Sequence, residues 1–173
     1  MSFITRLLGI NQGDEVKAAP KAVEVISAAF SEVEPSRGRF LAAFAYLLAR
    51  VAASDGQICR SEAAEMLKAV SSVGGCSESE ASLVLKLAEL QAKEHAGTQD
   101  YLVTRLLKEE STREERAGVI AAMLQVAACD GAVEFSEEEE VRAVSRQLGF
   151  TQAEFLEALS CHREFRTVLK GMI

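Results

Sequence analysis

The chain contains no tryptophan, and only two prolines and two histidines, in 173 residues. Both prolines, Pro20 and Pro35, lie before the main body, so no later helix is interrupted from within. No series of β-branched runs spaced by turns is present, which argues against a sheet-based fold. No apolar stretch nears the ~20 residues needed to cross a bilayer. The N-terminus lacks a basic region followed by an apolar core and a small-residue cleavage site, so no secretory signal is expected. The expected location is the cytoplasm, at most peripheral to an inner membrane. The four cysteines (Cys59, Cys76, Cys129, Cys161) form no CxxC and no ligand-like cadence, so reduced, buried thiols are expected ahead of a disulfide pair. A glycine-rich phosphate loop, G-x-S-x-G and HExxH are all missing, and a non-enzymatic protein is expected.

Basic charge is also short. The formal net charge is −7, and Arg37, Arg39, Arg105, Lys108, Arg113 and Arg116 are interspersed with acids. Non-specific nucleic-acid binding needs a basic patch, so nucleic acid is not expected as a partner. An acidic surface suits solubility, a cationic partner or a divalent metal.

What is abundant is helix-forming. Hydrophobic residues make up 49% of the chain, led by alanine, leucine and valine, and glutamate is frequent among the rest. The expected class is all-α, with residues 1–20 an amphipathic segment and linker and residues 21–173 one helical domain. In Met1 to Ile10, Phe3, Ile4, Leu7 and Leu8 share one helical face. This reads as a terminal helix packing on its own domain; the alternative is a membrane-surface or partner-docking helix, which a lone Arg6 and no interfacial tryptophan do not favour. A short helix is predicted over Ala22 to Phe30. A long one follows from Ser36 to about Ala53, with Phe40, Phe44, Leu47, Leu48 and Val51 as its apolar stripe. Later starts are marked by a helix from about Ser61 and by capping boxes Ser77/Glu80, Ser111/Glu114, Ser136/Glu139 and Thr151/Glu154. Gly74-Gly75 and Gly149 are the stops.

Two segments repeat. Val51 to Glu62 (VAASDGQICRSE) aligns without gaps with Val126 to Glu137 (VAACDGAVEFSE), 75 residues later, with seven of twelve positions identical. Glu65 and Gly74 match Glu140 and Gly149 at the same spacing. The repeat units span about 37–95 and 112–162. Two equivalent units with incompletely buried faces are satisfied by packing on each other, as one compact bundle with an approximate two-fold relation.

An alanine-rich helix followed by D-G-x-[IV]-x-x-x-E, occurring twice, resembles the tellurite-resistance TerB family, and is similar to the N-terminal domain of DjlA-type membrane co-chaperones. The resemblance covers roughly Arg37 to the C-terminus. It implies an all-α fold of two repeated units, association with bacterial stress responses, and acids that hold a divalent metal: Asp55 and Glu62 in the first unit, Asp130 and Glu137 in the second. Cys59 and Glu134 stand where that family commonly has Ser or Asp. No HPD tripeptide of a J-domain is present.

Glu65 and Glu140 lie one turn beyond Glu62 and Glu137 and extend the candidate metal set. An EF-hand is excluded. With Gly56 at loop position six, positions one and three are Val51 and Ala53, which supply no ligand, and the second copy fails identically at Val126 and Ala128. A site shared between the units, built from oxygen donors alone, suits magnesium, calcium or manganese. The plainer reading is turn chemistry at Asp-Gly and a dipole-favoured glutamate in the first helical turn. The run Glu137 to Glu140 reads first as a solvated helix start. His95, near a helix end, is expected to be exposed. The Cys161-His162 pair points in different directions on a helix and is not a catalytic dyad. The expected function is a stress-response binding module whose partner is another protein of that system, with weak membrane-surface association as a further possibility. The alternative is a structural protein-interaction or membrane-docking domain without metal.

Overall fold

The computed structural model describes residues 19–30, 33–54, 58–74, 76–95, 99–129, 131 and 133–161. The expected N-terminal helix over Met1 to Ile10, the corner residues Asp55, Gly56 and Asp130, and His162 lie outside the described residues. Every regular element among the described residues is an α-helix: α1 (Lys21–Ser27), α2 (Pro35–Ala52), α3 (Arg60–Gly74), α4 (Glu78–Glu94), α5 (Asp100–Glu109), α6 (Arg113–Ala128), α7 (Phe135–Gln147) and α8 (Gln152–Ser160).

Helix α2 is the axis of the bundle. Its start is fixed by Pro35 in the first position, where the ring presets φ and the missing N–H costs nothing, and by the Glu34 carboxylate, which accepts the Arg37 N–H at 3.1 Å. The predicted stripe of Phe40, Phe44, Leu47, Leu48 and Val51 is buried, but so are Ala42, Ala43, Ala45, Tyr46 and Ala49 on its other sides. The alanines carry little bulk, so neighbours approach α2 from all round. It packs against α1, α3, α4, α5, α6 and α7.

Helix α6, the counterpart of α2 in the second repeat, packs against α2, α3, α7 and α8. Helices α3 and α7 each touch both α2 and α6, so these four form the centre of one bundle. The second helix of each repeat starts in the expected register: Arg60 opens α3 and Phe135, 75 residues on, opens α7.

Four reciprocal caps start helices where the sequence places N-termini, two of them shifted. Ser77/Glu80 and Thr151/Glu154 cap α4 and α8 as predicted. Helix α6 is capped by Thr112/Glu115 instead of Ser111/Glu114. The Ser111 hydroxyl donates back to the Leu107 carbonyl at the end of α5, which leaves extended Thr112 as the cap. Helix α7 opens earlier than predicted. The N–H of Glu134 donates to Glu137 at 2.8 Å, and Ser136/Glu139 lies inside the helix. Helix α7 closes at Gly149, where φ of 90° suits glycine. The Gly149 N–H donates to the Arg146 carbonyl and the Phe150 N–H to the Ser145 carbonyl.

These caps predict acid sensitivity. Glu154 is drawn down from the usual 4.5 to about 2, first by the Thr151 N–H, then by the Thr151 hydroxyl and by Arg113. Glu80 is lowered, first by the Ser77 hydroxyl, and Glu115, first by the Thr112 N–H. A carboxyl whose folded pKa lies below its unfolded one stabilises the fold above the unfolded value, and that contribution is lost as pH falls through the folded value. The thermal midpoint, followed by circular dichroism, is therefore expected to fall on acidification below about pH 4.5. Glu154→Gln is expected to show a shallower fall; equal slopes for both proteins would refute the assignment.

Candidate functional site at the repeated Asp-Gly motifs

Helix α3 opens directly after the first Asp-Gly corner and α7 directly after the second. In both, the motif glutamate is the third helical residue and turns back on the helix start. Glu62 Oε2 accepts the Cys59 N–H at 2.5 Å, and Cys59 Sγ accepts the Glu62 N–H at 3.4 Å. The thiol thus does what Ser or Asp would do at that place. Glu137 Oε2 accepts the Glu134 N–H. Both glutamates are buried, at 7% and 5% exposure, so neither is an ordinary surface acid.

The run Glu137 to Glu140 is not a solvated face. Glu137 and Glu138 are buried, and Glu138 pairs with Arg142 on the next turn; Glu139, which also reaches Arg142, is the most open. Capping and this arginine draw the first two inward.

Glu65 and Glu140 take partners on the facing helix. Glu65 accepts from Gln125 Nε2 of α6 at 3.0 Å and lies 3.6 Å from Lys68. Glu140 lies 3.5 Å from Arg50 of α2, whose guanidinium is also 3.2 Å from Asp100. Asp100 accepts the Tyr46 hydroxyl at 2.6 Å. Burial raises the Glu140 carboxyl above its usual value, against the pull of Arg50, and raises the Tyr46 hydroxyl, assisted by Asp100. Arg50 is the lone charge between Phe40 and Ala53, the one sequence signal that could have marked this network.

The two contacts are reciprocal. Gln125 lies 75 residues after Arg50, and Glu140 lies 75 after Glu65. The first helix of each unit therefore answers the second helix of the other at equivalent positions, as two-fold packing requires.

The end of the first unit's leading helix also reaches the start of α7. The Ser54 and Ser136 hydroxyls are 3.5 Å apart, so the residue before Asp55 touches the residue before Glu137. Asp55 and Asp130 themselves lie outside the described residues. Among the described residues no three His, Cys, Asp or Glu side chains are grouped as a metal would require. The glutamates within each unit also diverge: Glu62 and Glu137 face their own helix starts, while Glu65 and Glu140 face the opposite helix.

Two smaller expectations are corrected. His95, at the C-terminal cap of α4, has a side chain only 13% exposed. The four cysteines are free thiols, but Cys59, Cys76 and Cys129 are half-buried and Cys161 is exposed, since each lies at or beside a helix end.

The model of the family described as tellurite resistance protein TerB matches residues 41–160. The chain belongs to the TerB family. The TerB region begins within α2 and ends with α8, so it takes in both corners and all four candidate glutamates. No curated protein and no solved structure matches this TerB chain. Among the described residues, no TerB helix is long and apolar enough to cross a membrane.

Proposed function

We propose that the chain is a non-enzymatic, cytoplasmic stress-response module of the tellurite-resistance type that takes one divalent cation between its two corners. The ligands are Asp55 and Asp130 with Glu62 and Glu137; Glu65 and Glu140, which face the opposite helix, hold the two units together instead of joining the set. The observation that supports this reading is the Ser54–Ser136 contact, which brings the residue before Asp55 beside the residue before Glu137. An ionised carboxylate offers about four acceptor sites, so capping a helix start does not exhaust its capacity to bind a cation. An all-oxygen set selects magnesium, calcium or manganese over softer-ligand metals. The partner in this reading is another protein of the same stress response, reached through the cation-dependent surface.

Isothermal titration of the intact chain with each of the three ions is expected to give saturable heat with at least one. Asp55→Ala/Asp130→Ala is expected to abolish it. Equal heats for wild type and double variant would remove the cation. The metal-free interaction domain would then be the better reading, favoured by Leu83 and Leu90, which stand 52% and 62% exposed seven residues apart on α4.

A further inference from the structure

The two-fold pairing of the repeats makes one seat on the bundle conspicuous. Helix α5 lies over α2 and α7, with Val103 and Leu107 fully buried and Asp100 bonded to Tyr46 and Arg50. Moving Tyr46 and Arg50, which meet Asp100, by 75 positions carries them onto Ala121 and Gln125; their α2 neighbours Ala43 and Leu47 fall on Gly118 and Ala122, and Glu140 on Glu65. Those residues line a groove of about 260 Å3 between α6 and α3. All of its described lining residues come from these two helices. A Cβ added at Gly118 would meet nothing within 4 Å. Helix α1, which by chain order would be the counterpart of α5, packs on α2 and α4 instead.

The chain carries a second copy of the sequence that fills the first seat. Leu102-Val103-Thr104-Arg105-Leu106-Leu107 of α5 is matched by Phe3-Ile4-Thr5-Arg6-Leu7-Leu8, with four consecutive identities and two apolar exchanges. The positions buried in α5, Val103 and Leu107, correspond to Ile4 and Leu8. The exchanges suit the groove. Its lining is smaller at Gly118, Ala121 and Ala122, and the segment is larger at Phe3 and Ile4. Where Arg50 demands an acid, the groove has Gln125, and Met1 stands where α5 has Asp100.

We propose that residues 3–8 seat as a helix in the α3/α6 groove of the same molecule, as α5 seats between α2 and α7. The described chain begins at Ala19. The eight residues from Asn11 to Ala18 span up to about 26 Å when extended. Neighbouring helix axes lie about 8–10 Å apart, so this length covers about two to three helix spacings.

The chain has no tryptophan, so Phe3→Trp in the full-length protein is a single reporter. Its emission is expected to be blue-shifted and several-fold protected from acrylamide. Filling the groove with Gly118→Leu, or placing a charge on the segment with Leu8→Asp, is expected to shift the emission to the red and remove the protection. Because Gly118 faces open space and leucine is the better helix former, the bundle itself should still melt cooperatively. Protection that survives both substitutions overturns the proposal. So does protection that rises with protein concentration, which would place the segment on a second copy. Protection that appears only with phosphatidylglycerol vesicles would assign it to a membrane surface and overturn the proposal equally.

Discussion

Arg50→Ala is expected to lower the unfolding free energy by about 3 kcal/mol, the range measured when one partner of a largely buried ion pair is removed. Asp100 and Glu140 would then face each other without the cation that lies 3.2 Å and 3.5 Å from them. Their side chains are 23% and 24% exposed, so water would relieve only part of the penalty. Burial already raises the Glu140 carboxyl and would raise it further without Arg50, so the variant should lose less stability at about pH 5 than at pH 7. Urea titrations at the two pH values test this. A loss below about 1 kcal/mol, the level of an exposed pair, would show that the network does not hold α5 and α7 to α2.

Leu48→Ala should be at least as damaging, at about 3–4 kcal/mol. Leu48 is fully buried on the axial helix, where six other helices leave little room for collapse around the lost atoms. Against a total of about 5–15 kcal/mol for a domain, the change consumes a large share. The expected signature is a lower urea midpoint with an unchanged slope. A loss of about 1 kcal/mol or less would mean that the neighbours close over the site.

How much of this was readable in the residues depends on whether the information is local. The stripe on α2 and the Ser77/Glu80 and Thr151/Glu154 caps were legible because spacing and cap chemistry act within one or two turns. The starts of α6 and α7 were misplaced by one and two residues. Two candidate boxes overlap at each, and only the closing bond from Ser111 to α5, or the extended backbone at Glu134, decides between them. The repeat made Glu62 and Glu137 visible as a pair, but their burial could not be read from a local pattern of acids. Arg50, Asp100 and Tyr46 come together from α2 and α5, 50 residues apart between the first two. The solitary arginine in an apolar helix was the only hint. Gln125 as partner of Glu65 had no signal until Arg50 and Glu140 supplied the template.

Glu65 and Glu140 are each answered across the boundary by the first helix of the other half. That is the wiring of a symmetric dimer whose protomers have been joined into one polypeptide, the trace that duplication and fusion of an ancestral gene would leave. A single unit cut free would inherit a surface made for its twin. Its natural fate is to find another copy of itself and rebuild the whole from two identical pieces.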